Sequence, residues 1–319
     1  MAKKHHPRRG SLQFWPRKRS KRSFARIRSW REQNGDGLQA FVGYKVGMTH
    51  VIAKDNSPHT MFKKDNIFVP VTIIECPPLK SLSLRFYQNS SDGSKLISEV
   101  FSKSLDKGIK KHIKFPKKEG KIPENFEDVR LRVYTQPRLT GIGKKKPETL
   151  EIGIGGKDVQ EKLKIAQELL EKEIKLGDVL KDKKLIDIHS ITKGKGFQGT
   201  VKRFGVKIRQ HKSEKTKRGA GTLGAWTPKK VLFSVPQAGR MGHHQRVEYN
   251  KLSLMTDSDP KKVNPKGGFL HYGLVKNDYI VLKGSVAGPA KKTIILTPAV
   301  RKGNAGSLEI LSIDLESKQ

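Results

Sequence analysis

The sequence is poor in what catalysis or metal binding would need. Cys76 is the only cysteine among 319 residues, which excludes internal disulfides and any multi-cysteine zinc site. Standing before Pro77 and Pro78, it reads as a small buried residue rather than a nucleophile. There is no HExxH, no GxSxG elbow and no GxxxxGK[ST] phosphate loop. His243 and His244 are adjacent, so neither a helix nor a strand would point both at one metal; a solvent- or phosphate-facing pair is the better reading. No stretch approaches the roughly 18 uninterrupted apolar residues of a membrane span. The opening MAKKHHPRRG has charge with no apolar run behind it, unlike a secretory signal.

Acid is scarce beside base, thirty Asp/Glu against sixty-six Lys/Arg, and its scarcity is local. The formal net charge is +36, which calls for a polyanionic partner, nucleic acid or an anionic membrane. Residues 1–31 carry twelve Lys/Arg and no acid, and residues 193–250 carry fourteen against Glu214 and Glu248. Those two segments hold +24 of the total, whereas residues 32–80 balance at five of each sign. A merely soluble surface would interleave its charges. With so few carboxylates, the basic segment is a poor place for paired general acid–base chemistry.

What is present falls into four parts. Residues 1–36 form a basic arm without helical or strand period, with Phe14, Trp15, Phe24 and Trp30 set among its arginines; such an arm orders on nucleic acid or stays a disordered tail. Strand-like runs at 38–44, 46–53 and 67–75, and again at 269–275, 278–285, 291–297 and 307–313, predict a barrel or sandwich built from both ends of the chain. The expected core is 37–84 with 184–192 and 251–319. Residues 85–183, with the lysine-rich GIKKHIKFPKKEGK, read as an inserted α/β subdomain. Within it Val159, Leu163, Ala166, Leu170 and Ile174 define one face of a helix over 157–175, with Asp158 as N-cap or first-turn acid. Residues 193–250 are the fourth part.

That fourth part opens with Gly194, Gly196 and Gly199 in the spacing of a dinucleotide-binding turn. LIDIHSI (185–191) could be the preceding strand, but TVKRFGVKIRQHKSEKTKRGAGT has no apolar stripe and predicts no helix, so the nucleotide reading fails. Glycines alternating with Lys193, Lys195, Lys202 and Arg203 fit backbone lying close to phosphates instead. The whole segment is too rich in glycine and base to form its own core; the alternatives are a floppy loop or a functional one. Trp226, in the bracket GAWTP, reads as an exposed tip suited to stacking on bases.

With these residues in view, the chain resembles the ribosomal protein L3 family of the large subunit, in its archaeal form. GYKVGMTH (43–50), KKKPETLEIGIGGKDVQEKL (144–163), KGKGFQGTVKRFGVK, LGAWTP, VPQAGRMGHHQR and GGFLHYG through NDYIVLKGSVAGPAKK carry the likeness in order. The resemblance implies a mainly β fold: a translation-protein-like six-stranded β-barrel core, an inserted α/β subdomain and long basic extensions. It implies no enzymatic activity, a cytoplasmic place in the large ribosomal subunit, binding to 23S-type rRNA near its 3′ domain, and a role in early assembly. Trp226 would be the tip of a loop reaching toward the peptidyl transferase centre, with Gly224, Ala225 and Pro228 shaping its turn. Lys193, Lys195, Lys202, Arg203, Lys207, Arg209, Lys212, Lys217, Arg218, Arg240, His243, His244 and Arg246 would contact RNA, together with Arg8, Arg9, Arg17, Lys18, Arg19, Lys21 and Arg22 of the arm. Neighbours would include L14 and L24e. No cofactor, membrane or small-molecule substrate is implied, and any structural Mg2+ would be held by rRNA. Lys217 stands where eukaryotic members have a His, so a role tied to that His does not carry over. An RNA-modifying enzyme or assembly factor with basic arms is the rival; it needs a cofactor pocket, and no motif supplies one. An anionic-membrane protein would need a basic amphipathic helix, whereas the one clear helix has a mixed-sign face.

Overall fold

The computed structural model describes residues 8–28, 30, 37–57, 61, 65–118, 120–180, 185–227, 229–306 and 308–316. In chain order, β1 (Gly37–Leu38), β2 (Phe41–Asp55), β3 (Asn66–Glu75), β4 (Lys80–Ser90) and β5 (Gly93–Phe101) come first. One helical turn, α1 (Lys107–Lys110), precedes β6 (Asp128–Tyr134) and β7 (Thr149–Gly155). Next are α2 (Val159–Glu171), α3 (Leu176–Leu180) and β8 (Leu185–Ile191), then the short β9 (Phe197–Gln198), α4 (Thr200–Phe204) and β10 (Gly239–Arg240). Strands β11 (Gln245–Asp257), β12 (Tyr279–Lys283), β13 (Thr293–Pro298) and β14 (Leu308–Ile313) complete the set. The fold is mainly β, and the chain divides into two compact units: Phe24–Ser190 with Arg246–Gln319, and Met1–Ser23 with Ile191–Gln245.

The larger unit holds a barrel. Its strands run β13-β8-β11-β12-β3-β2, and β13 pairs back onto β2, which closes a ring of six. Closure joins the two ends of the ring, and β14 extends it as a seventh strand on the far half of β2. The long β2 makes this possible: Phe41–Tyr44 pair with β13, Val51–Asp55 pair with β14, and a register shift between Lys45 and Gly47 bends the strand. Valine, isoleucine and tyrosine alternate inward, so Tyr44, Val46, Val51, Val71, Ile73, Tyr279 and Val281 form one buried cluster. Burying each such side chain contributes about 1.5–3 kcal/mol.

A second, antiparallel sheet, β1-β7-β6-β4-β5, takes most of its strands from the inserted sequence but recruits β1 and the start of β4 from residues expected in the barrel core. Helix α2 packs on β4, β6 and β7 with Ala166 fully buried. The helix is shorter than its pattern predicted. Lys172 is already extended (ψ 150°), and Ile174 pairs with Leu79 in an isolated bridge, its N–H 2.9 Å from the Leu79 carbonyl. Asp158 occupies the N-cap position without a capping bond; the first-turn acid Glu161 instead accepts from the Lys157 N–H at 3.2 Å.

Buried polar groups join this sheet to the barrel. The Tyr44 hydroxyl donates to Thr135 Oγ1 at 2.8 Å, Thr135 Oγ1 accepts from the Glu148 N–H at 3.0 Å, and Glu148 accepts from the Thr293 hydroxyl and from Lys144 Nζ at 2.5 Å. Burial pushes the Tyr44 phenol well above its usual pKa, so it stays a donor. The fully buried Glu75 carboxylate accepts from the Tyr272 hydroxyl, the Lys276 N–H (2.8 Å), the Asn277 N–H (3.0 Å) and Asn277 Nδ2 (2.8 Å).

The segment 269–275, expected as a strand, is a tight turn. His271 (φ 63°) and Gly273 (φ 100°) take left-handed conformations that no strand allows, and Phe269 and Gly273 close on each other. That turn delivers Tyr272 to Glu75. The other runs at both ends of the chain fall in β2, β3, β12, β13 and β14, and the run at 185–191 is β8.

Candidate nucleic-acid interface

The smaller unit contains twenty-two Lys/Arg and one acid, Glu214, so its cohesion cannot come from ion pairs. It comes from backbone ladders, ring contacts and arginine–carbonyl bonds. Residues 192–198 lie antiparallel to 239–244: Thr192 N–H reaches the His244 carbonyl at 2.9 Å, His243 N–H reaches Thr192 O at 3.1 Å, and Met241 N–H reaches Gly196 O at 2.9 Å. Strands β9 and β10 continue the ladder with Gln198 opposite Gly239. The chains approach closely because Gly242 (φ 77°) has no side chain; a Cβ there would lie 2.0 Å from the Lys193 carbonyl oxygen.

Phe204 is the hub of what apolar packing there is. It is almost fully buried, stacks on Trp15 at 5.9 Å, and lies under the guanidinium groups of Arg17 (4.2 Å) and Arg203 (5.0 Å). Phe233 meets Trp15 edge-on at 5.8 Å. Segment 193–250 therefore has a small nucleus, which it does not form on its own: the arm supplies Trp15 and Arg17. The short α4 also lies in the stretch that predicted no helix. With five residues ended by the left-handed Gly205, it carries no dinucleotide turn.

The candidate cations separate into two groups. Arg17 and Arg203 are structural: Arg17 Nη1 donates to the Arg203 carbonyl at 2.5 Å, and Arg203 returns a bond to the Arg17 carbonyl at 3.2 Å. Arg203 also donates to the carbonyls of Arg240 (3.1 Å) and Gln237 (2.9 Å). Burial lowers its pKa, but a guanidinium keeps its proton throughout the physiological range. The expected solvent-facing histidine pair splits. His244 is buried with Nδ1 2.8 Å from the Lys18 carbonyl; that oxygen only accepts, so Nδ1 carries the proton. His243 is half-exposed in a left-handed turn (φ 53°). Arg246, half-buried in the larger unit, has its pKa lowered by burial.

The second group faces solvent: Arg9, Lys18, Arg19, Lys21 and Arg22 of the arm, and Lys193, Lys195, Lys202, Lys207, Lys212, Lys217, Arg218 and Arg240. Arg8 and Arg209 are also exposed, each donating to one carbonyl, of Ser234 (2.9 Å) and Ala220 (2.5 Å). Among these, Gly194, Gly196 and Gly199 are exposed, and a Cβ on Gly196 or Gly199 would meet nothing within 4 Å. Trp226 is 83% exposed in a turn where Lys229 N–H reaches its carbonyl at 2.9 Å, preceded by exposed Gly224 and Ala225. Pro228 lies outside the described residues, as do 1–7, 29 and 31–36 of the arm.

Two aromatics escaped the sequence reading. Phe197 and Phe233 are 74% and 75% exposed in the same unit. Phe197 sits in GFQG, a glycine bracket like that of Trp226, which is the signal that would have found it. Lys215, Lys229 and Lys230 are further exposed cations. Chemically, this surface offers fixed positive charge and open π-faces, with no neutralising carboxylate but Glu214. Among the described residues, no group of three or more His, Cys, Asp or Glu side chains could hold a metal ion.

A chain with a β-barrel unit and an all but acid-free basic unit fits a polyanion-binding class of protein. The family model described as ribosomal protein L3 matches residues 1–122 and 106–317. The chain is 47% identical to the large ribosomal subunit protein uL3 of Methanocaldococcus jannaschii, over 92% of this chain and 91% of that one. It is 44% identical to uL3 of Methanococcus maripaludis (99% and 98% covered) and 40% identical to that of Methanobrevibacter smithii (100% and 99%). The chain belongs to the ribosomal protein L3 family, structural proteins of the cytoplasmic large ribosomal subunit and not enzymes.

Proposed function

We propose that the protein is an integral constituent of the large subunit that uses the smaller unit, together with the rest of its N-terminal arm, to bind 23S-type rRNA near its 3′ domain. The observation that carries the reading is the pairing of an exposed tryptophan with a surface whose cations have almost no carboxylates to neutralise them. Phosphates would supply the missing counter-charges, and bases would stack on Trp226. Residues 193–250 act as the rRNA-binding extension, and the Trp226 turn supports the peptidyl transferase centre. Arg17, Arg203 and His244 hold this surface in shape rather than touch RNA, since their polar atoms face carbonyls of the same unit. The glycines at 194, 196 and 199 leave room for an RNA backbone. Binding early in assembly follows from a charge density that rRNA must neutralise. Proteins L14 and L24e are the proposed neighbours; no cofactor is needed, and Mg2+ would be bound by RNA phosphates.

The test is sucrose-gradient fractionation of native extract through a high-salt wash. Stoichiometric retention in the large-subunit peak is expected. Release into light fractions would favour a transient assembly factor or modifying enzyme instead.

A further inference from the structure

The larger unit handles charge differently from the smaller one across its inserted sheet. On the inserted sheet, Arg85 and Arg132 pair with Glu99 at 3.2 and 3.0 Å, and Arg130 with Asp128 at 2.9 Å. Residues 102–123 break this pattern, with eight lysines against Asp106 and Glu119. Asp106 is engaged by Lys80 Nζ (3.1 Å) and the Tyr134 hydroxyl (2.9 Å); Glu119 lies outside the described residues. Lys107, Lys110, Lys111, Lys114, Lys117 and Lys118 are all exposed.

The segment is held in place by its own apolar residues. Ile109 is buried in a cluster with Leu82 and Tyr134, and Leu105, Ile113 and Phe115 pack against it. Phe115 meets Phe101 edge-on at 5.3 Å. Ser102 N–H reaches the Leu82 carbonyl at 3.0 Å, and the Ser98 hydroxyl reaches Lys121 O at 2.6 Å. Apolar side chains therefore point in and lysines point out along a tethered strip. A lysine run kept only for solubility needs no such anchoring, and like charges held together repel unless an anion lies across them.

We propose that this lysine strip is a second RNA-binding surface, which contacts the phosphate backbone of an rRNA segment distinct from the one held by the basic extension. It rests on the reading of the protein as an rRNA binder and deepens it. Recognition is chiefly of phosphates: Phe115 is half-buried, and the exposed ring on the strip is the His112 imidazole, set among six exposed lysines. The same half-burial of Ile113 and Phe115 leaves little apolar surface for a lipid interface.

The test uses the full chain and a methanogen large-subunit rRNA transcript as probe. Three variants are compared with the parent: Lys107, Lys110, Lys111 and Lys114→Gln; the same four→Arg; and Lys193, Lys195, Lys202 and Lys207→Gln. Salt titrations of affinity and hydroxyl-radical footprints are read for each. The first variant should lower the salt slope by about two to four units and lose one discrete patch of RNA protection while keeping the rest. The arginine variant should restore both. The extension variant should lose a different patch. An unchanged footprint in the first variant, with a patch lost only in the extension variant, would overturn the strip and leave the extension reading standing. Uniform weakening without a lost patch would also overturn it, as would retention of the footprint with loss of binding to phosphatidylserine vesicles. If no variant altered the footprint, the extension reading would fall as well.

Discussion

The two compact units are made stable by opposite means. The larger one uses a sealed barrel, a deep apolar cluster and carboxylates buried with full sets of donors, as at Glu75 and Glu148. The smaller one has a three-ring nucleus, a short ladder and guanidinium groups on carbonyls, with one acid in its sequence. A unit almost without acid leaves its cations for an external polyanion, whereas the larger, with forty-four Lys/Arg and twenty-nine Asp/Glu, pairs part of its charge internally, as on the inserted sheet. The lesson is that acid content, more than net charge, marks where the RNA should lie.

The sharpest way to break the comparison is to remove the smaller unit's hub. Phe204→Ala should cost about 3–5 kcal/mol and abolish amide-exchange protection in 192–205 and 239–244, while the barrel strands stay protected. The corresponding cut in the larger unit is Glu75→Ala, which orphans two backbone N–H groups and the Tyr272 hydroxyl. We expect a loss of about 2–4 kcal/mol in denaturant titration, with the exchange pattern reversed. Trp226→Ala should leave both units' stability unchanged, because the ring is exposed, and weaken rRNA binding by about 1–3 kcal/mol in a filter-binding assay.

Acid should separate the units more gently. Burial pushes the Glu99 carboxyl up, but hydrogen bonds from Ser83, Arg85 and Arg132 outweigh it and hold the pKa below its usual value. A depressed folded-state value means the contribution is whole above the unfolded pKa and is lost as pH falls through the folded one. Lowering the pH into that range should loosen the larger unit, while the smaller, with Glu214 alone, should respond little. Variants retaining only Trp30, which lies against Gly153 in the larger unit, or only Trp15 would report each by fluorescence. The smallest effect is that of one exposed cation: Lys195→Gln should lower the salt slope of rRNA binding by about 0.9.

Much of the larger unit was legible because its forces are periodic. The β-branched and aromatic runs in 38–53 and 67–75 mark buried strands, and the three- and four-residue steps of α2 mark its packed face. Where a backbone left-handed turn intervened, at His271 and Gly273, apolar composition misread a turn as a strand. The smaller unit was legible in charge but not in structure. Its nucleus joins Trp15 to Phe204, and Arg17 and Arg203 exchange carbonyl bonds across 186 positions of sequence. No periodicity marks such contacts. For the same reason, sequence alone could not divide the structural arginines from those facing solvent, or tell that His244 turns inward.

The most direct test of the central claim is ultraviolet crosslinking of the intact large subunit, with the crosslinked peptides identified by mass spectrometry. Peptides from the arm and 193–246 should dominate, Trp226 among them, with 107–118 the one strong contribution from the larger unit. Crosslinks concentrated instead on the charge-paired strands β4, β5 and β6, with 193–246 silent, would contradict it.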